Sequence, residues 1–227
     1  MENSDFVSNM EMVLDVYKMP HNKDIPVVCM DESPKQLIKE TRLPLERKPG
    51  YDAKEDFEYE RCGVVNIFMA NEPLSGKRFV KVTEQKTKKD WALFIKEIAD
   101  VHYPNVEKIR LVMDNLATHK AAALYDAFAP QEAKRIWDRF EFIYTPKHGS
   151  WLNMAEIELN VLMKQCLSRR IGDMDTIKHE VNAWQDDRNN KEATINWQFT
   201  NDKARVKLKR IYPTILDWQD TRETRKR

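Results

Sequence analysis

No run in the 227-residue chain is apolar for long enough to cross a bilayer, which takes about 20 consecutive apolar residues. No secretory leader is recognisable either. The three cysteines (Cys29, Cys62 and Cys166) are odd in number and show no CxxC spacing, which argues against a disulfide framework and for free thiols in a reducing compartment. The five histidines are scattered, and neither HExxH nor a Cys/His cluster marks a zinc site. Internal repeats and low-complexity tracts are missing as well. These absences lead to the expectation of a soluble, cytoplasmic protein.

An excess of either charge is also lacking. The 38 basic side chains nearly balance 37 acidic ones, so net charge does not by itself announce a nucleic-acid partner. The distribution is uneven, however. Residues 1–60 carry 8 basic and 14 acidic side chains, whereas residues 201–227 carry 9 and 4. A basic end on a neutral chain fits either a polyanion-binding tail or a solvated surface. The length fits one domain, or one domain with a small appendage, and is enough to bury a sizeable core without staples.

What is present alternates between strand-like and helix-like patterns. Residues 6–18 carry apolar positions at helical spacing and end at Pro20, which predicts a short helix with no partner of its own. "IPVVCMDESP" reads as a buried strand stopped by charges and a proline. Residues 33–60, highly charged and proline-containing, read as a long excursion. "CGVVNIFMA" and "RFVKVTE" predict a hairpin across "NEPLSGK". An amphipathic helix over 88–103 follows, then the strand "EKIRLVMDN", short helices over 118–128 and 131–138, and the strand "RFEFIYTP". Helices over 152–167 and 174–190 come next, then a tail with a basic helical piece at 201–210. A hairpin followed by alternating helices and strands implies an α/β protein, with a mixed sheet and helices on both faces.

Three carboxylates stand at element ends. Asp31 closes "VVCM" and Asp114 closes "IRLVM". Each fits a site at a strand end, but taken alone each fits a cap on the following turn better. Glu156 lies near the start of the helix "LNMAEIELNVLMKQCL". At about 100° per residue it falls nearer the apolar stripe than Glu158, which is placed closer to solvent. A capping box with Asn153 also fits its spacing. If the three converge, like charges in a poorly hydrated site would repel, and hard divalent cations such as Mg²⁺ or Mn²⁺ would resolve the conflict. Two such ions about 4 Å apart support in-line attack on phosphate.

"VVCMDES", "LVMDNLATHK" and "TPKHGSWLNMAEIE", in this order, closely resemble the catalytic half of DDE transposases, nearest to the bacterial insertion sequence 630 family of the mariner-like superfamily. "INWQFTNDKAR" resembles that family's tail, so the likeness covers roughly residues 6–213. The resemblance implies a ribonuclease-H-like fold with a mixed five-stranded sheet. It assigns Asp31, Asp114 and Glu156 as catalytic metal ligands, with the Asn-x-x-Glu pattern selecting Glu156 over Glu158. It also implies two Mg²⁺ or Mn²⁺ ions, cleavage of DNA at transposon ends, strand transfer to target DNA, and a dimer in the synaptic complex. Asp114 and Glu156 stand 42 positions apart, longer than in mariner-like relatives, and an insertion around Ala129–Trp137 would absorb the difference.

The family carries helix-turn-helix segments before its catalytic domain, and only about 25 residues precede the first strand here. The implied division is a helix and linker remnant at 1–25, a catalytic domain at 26–192 and a basic tail at 193–227. Candidate DNA contacts are Asn115, Thr118, His119, Lys147, His148 and Trp151 beside the acids, with Lys207, Lys209 and Arg210 in the tail. Lysine suits phosphate as a point charge and tryptophan can stack on an unpaired base. Two rivals stay open: a ribonuclease-H-like nuclease with another substrate, and a non-catalytic fragment that regulates the full transposase.

Overall fold

Apolar residues at helical spacing form α1 (Glu2–Tyr17), whose Met10, Val13 and Leu14 are buried in the main core. The expectation that this helix lacks a partner is thus overturned. The computed structural model that shows this describes residues 2–42, 45, 47–52, 56–116 and 119–213.

Strand β1 (Val27–Glu40) pairs antiparallel with β2 (Tyr59–Glu72), and β2 pairs antiparallel with β3 (Lys77–Thr83). β1 therefore runs past Asp31 and through Pro34, well into the span read from sequence as a loop. Its parallel partner β4 (Ile109–Met113) matches it only over Val27–Cys29. Beyond Cys29, β1 has a ladder on one side alone, and a proline that cannot donate is tolerated there. A bulge places Cys62 and Gly63 opposite Leu37, with Gly63 at φ +110°, a backbone conformation that glycine adopts without strain.

Helix α2 (Lys88–Glu97) starts on a capping box between Thr87 and Asp90 and ends in a π-helical turn, Ile98–His102. After β4 come α3 (Ala121–Ala127), α4 (Pro130–Asp138) and β5 (Phe140–Tyr144), the last parallel to β4. The stretch read as an insertion, Ala129–Trp137, is largely α4. Then follow α5 (Met154–Gln165), α6 (Met174–Asn190) and α7 (Asn201–Lys207), with a 3₁₀ turn at Lys209–Ile211.

The sheet order is β3-β2-β1-β4-β5. One face carries α1, α5, α6 and α7, packing Leu159, Leu162, Ile177, Val181 and Ala204 against Cys29, Ile67, Met69 and Val112. The other carries α2, α3 and α4, packing Trp91, Phe94, Ile95, Leu124 and Ile136 against Val28, Phe68 and Leu111. This is the mixed five-stranded sheet with helices on both faces that the sequence implied. All three cysteines are free. Among the described residues no helix is long and apolar enough to cross a membrane.

The described segments at 1–25 and after 192 pack against the sheet and against each other. Tyr17 donates to the Leu152 carbonyl at 2.8 Å and its ring meets Trp197 edge-on at 5.2 Å. Arg205 forks onto both oxygens of Glu11 at 2.9 and 3.0 Å. On the far edge of the sheet, the Val80 N–H donates to the Gln185 side chain at 2.7 Å. Asn189 accepts from the Arg78 N–H at 2.8 Å and donates to its carbonyl at 2.9 Å. Residues 214–227, the end of the expected basic tail, lie outside the described residues.

Candidate active site

Register brings the two aspartates level. Cys29 pairs with Val112 across the parallel β1/β4 ladder, so Asp31 and Asp114, each two residues further on, leave that ladder side by side. Helix α5 crosses the same end of the sheet. Its N-cap Asn153 accepts from the Ala155 N–H at 3.1 Å and donates its amide to the Met30 carbonyl at 2.8 Å. One side chain therefore fastens the start of α5 to β1 immediately before Asp31, and Glu156 sits one turn into that helix. A capping box does not account for Glu156, because the Asn153 N–H is taken by the Ser150 carbonyl at 2.7 Å.

The electrostatics record the convergence. Burial pushes the Asp31 carboxyl up to about 7. A hydrogen bond from the Glu32 N–H opposes the rise, and the negative charges of Glu32, Asp114 and Glu156 add to it. Asp31, Asp114 and Glu156 thus share one neighbourhood. Among the described residues no three Asp, Glu, His or Cys side chains are drawn tightly enough together to make a finished metal cage. The donor chemistry nevertheless fits a hard divalent cation: three carboxylates, with no soft ligand among them.

Glu158 overturns its assignment toward solvent. It is 1% exposed and paired with Arg78, also 1% exposed, at 2.5 Å, and with Arg188 at 3.1 Å. Arg78 further donates to the Gly76 carbonyl at 2.6 Å and to the Ala193 carbonyl. Helix angle alone cannot reveal this, because the partners come from β3 and α6.

His119 is also placed differently from expectation. A DNA contact needs an accessible ring, and His119 is 2% exposed. Its Nδ1 lies 2.5 Å from Asp114 Oδ1, its Nε2 lies 3.4 Å from Glu32 Oε2, and its ring stacks on Trp91 at 5.5 Å. Burial disfavours its charged form, yet the two carboxylates outweigh that and hold the imidazole up to about 9. Sequence reading missed Glu32 altogether, although its position directly after Asp31 was a signal. Thr118 lies outside the described residues.

The other expected contacts gather on one side of the acids. Asn115, Lys147, His148 and Trp151 line a 640 Å³ groove, closed by Asp5, Phe6 and Asn9 of α1 and by Leu208 and Ile211. Lys147 and His148 are exposed on a turn where His148 adopts φ +63°, unusual for a residue other than glycine. Trp151 is exposed and meets Phe199 edge-on at 5.6 Å. Lys207, Lys209 and Arg210 are exposed beside the groove's Leu208 and Ile211 wall.

A mixed sheet of this order, with two acids just past the end of the ladder between adjacent parallel strands and a third on a crossing helix, defines the ribonuclease-H-like class. The chain belongs to the DDE superfamily endonucleases, whose family model matches residues 26–178. Compared with curated proteins, it has no significant match. Among solved structures it resembles the Mos1 transposase paired-end complex with left transposon end (14% identity, TM-score 0.58, covering 85% of this chain and 58% of that one). It also resembles the Mos1 strand transfer complex (13% identity, TM-score 0.58, covering 85% and 57%). The Mos1 mariner paired-end complex with Mn is similar too (15% identity, TM-score 0.56, covering 85% and 58%). At these identities the likeness is one of fold, and the chain spans under three-fifths of the length of these structures.

Proposed function

We propose that this chain is the catalytic domain of a transposase of the insertion sequence 630 family, acting on transposon-end and target DNA. The observation that carries the reading is the shared neighbourhood of Asp31, Asp114 and Glu156, in which each like charge makes the burial of Asp31 harder. No stabilising role accounts for gathering them. Glu158, on the same helix as Glu156, is by contrast paired with Arg78 and Arg188. Mg²⁺ or Mn²⁺, each present in a Mos1 paired-end complex, fits the oxygen donors. Two bound ions would activate a water or a 3′-hydroxyl and stabilise the leaving oxygen of an in-line displacement at phosphorus.

The protein's own groups set up that displacement. Asp31 and Asp114, fixed by the parallel ladder, and Glu156, fixed through Asn153, supply the ligands. Lys147 on its exposed turn holds a phosphate as a point charge. Trp151 offers a stacking face to a base freed at the cut end. Lys207, Lys209 and Arg210 follow the DNA backbone away from the acids. The working complex holds two DNA ends and hence two copies of the chain, in a cytoplasmic setting. Residues 26–192 form the catalytic unit, with α1 (within 1–25) and the start of 193–227 packed onto it as walls of the DNA groove.

The test is nicking of DNA by the purified chain, with Mg²⁺ or Mn²⁺, beside its Glu156→Gln variant. Metal-dependent nicking lost in the variant is expected. Equal nicking by both proteins sinks the assignment of Glu156.

A further inference from the structure

Glu32 is an acid with a buried side chain held, among the described residues, by two long ion pairs alone. Its side chain is 6% exposed, yet Oε2 has no hydrogen-bond partner among the described residues. Its neighbours of opposite character are His119 Nε2, 3.4 Å from Oε2, and Lys86 Nζ, 4.0 Å from Oε1. Burying a carboxylate with so little compensation is unfavourable, so its presence calls for a task.

Strand alternation supplies the geometry. Asp31 and Glu32 are consecutive in β1 and point to opposite faces of the sheet. Asp31 turns toward α5, whereas Glu32 turns toward α2 with Met30 and Phe68. His119 sits on that second face, stacked on Trp91, its carbonyl accepting from the Tyr144 hydroxyl at 3.1 Å and its N–H donating to the Leu116 carbonyl at 3.0 Å. From there Nδ1 reaches round the end of β4 to Asp114 Oδ1 at 2.5 Å. Asp114 has no other side-chain partner among the described residues, so without His119 its carboxylate turns freely about two torsions.

We propose that Glu32 and His119 are positioning residues for Asp114: Glu32 fixes the imidazole from behind, and the imidazole pins one carboxylate oxygen so that the other faces the site. This rests on the reading of Asp114 as a ligand for a divalent cation. It places on the far side of the sheet a support that the three acids alone do not reveal. Groups that orient metal ligands in this way typically change metal affinity by about 10–100-fold when removed.

Mn²⁺ binding, followed by the electron paramagnetic resonance of free Mn²⁺ and by calorimetry, tests it. Glu32→Met keeps the volume and removes the charge, and is expected to weaken Mn²⁺ binding at least about tenfold. Glu32→Gln, which keeps an oxygen facing Nε2, recovers most of the affinity. In a His119→Ala background, Glu32→Met has no further effect, because the path it acts through is gone. A general packing defect would instead add to the His119 change. Parental affinity in Glu32→Met, or a full additive loss in the double variant, overturns the proposal. If Glu32→Met does not fold, Glu32→Ala is measured in its place. An Asp114→Asn variant separates the two layers. Mn²⁺ binding that is absent from the parent or untouched by Asp114→Asn overturns the metal reading, and this inference with it. Binding lost in Asp114→Asn but kept in Glu32→Met overturns this inference alone.

Discussion

Asn153 and Met30 are joined by a single hydrogen bond of 2.8 Å, from side-chain amide to backbone carbonyl, between α5 and the strand residue that precedes Asp31. The same amide's oxygen caps the helix. The Asn of the Asn-x-x-Glu pattern thereby sets how far Glu156 stands from the aspartates.

Asn153→Ala removes both bonds from a buried position and is expected to cost about 2–3 kcal/mol. Asn153→Ser restores the cap without reaching Met30, and recovers about 1 kcal/mol. Urea denaturation of the three proteins measures this. Stability unchanged in the alanine variant contradicts the bracing role.

The two glutamates of α5 are expected to separate cleanly. Glu158→Ala strands Arg78 and costs about 3–5 kcal/mol, the usual penalty for breaking a buried ion pair. Glu156→Gln removes no hydrogen bond and shifts stability by about 0.5 kcal/mol or less, while abolishing metal-dependent nicking. A large stability loss in Glu156→Gln would give that residue a structural role instead.

Asp31 makes the metal-free protein sensitive to pH. Its folded-state value, about 7, lies above the unfolded one near 3.8, so the folded chain binds the extra proton between them. Stability associated with this group is complete below pH 3.8 and declines as pH rises through 7. Asp31→Asn is therefore expected to stabilise the metal-free protein at pH 8, by an amount on the order of 4 kcal/mol at most, and to be neutral at pH 3.5. Thermal melts of both proteins across this range decide the matter, and a constant difference between them refutes it.

Lys207, Lys209 and Arg210 are expected to act through charge alone. Replacing all three with glutamine should lower the steepness of the salt dependence of duplex binding by about 2–3 in log–log slope. Trp151→Ala should leave that slope unchanged and weaken binding to ends with unpaired bases by about 1–3 kcal/mol. Titrations at several salt concentrations on blunt and frayed duplexes separate the two effects.

Much of this was legible beforehand because short apolar runs bounded by charge or proline have few alternatives to a buried strand. The order of strands and helices follows from such runs. The outer half of β1 and the first residues of β2, Tyr59–Arg61, were not legible. They overhang the core, so residues such as Lys35, Lys39, Glu60 and Arg61 are charged without regard to face, and no alternation survives. Asp31, Asp114 and Glu156 were singled out by pattern. The roles of Glu158 and His119 depended on groups 80 and 87 positions away, Arg78 and Glu32, which no local rule connects. The partner of α1 was hidden for the same reason: its apolar face meets residues such as Ala204, from the other end of the chain.

Gln185 and Asn189 offer β3 the same donors and acceptors that another strand would, in side-chain form. The backbone from Arg78 to Val80 is therefore already spoken for, and the sheet cannot lengthen in that direction without α6 first peeling away. A second copy that approaches this border finds no free backbone between Arg78 and Val80 to pair with, so edge-to-edge joining of sheets is blocked along this stretch.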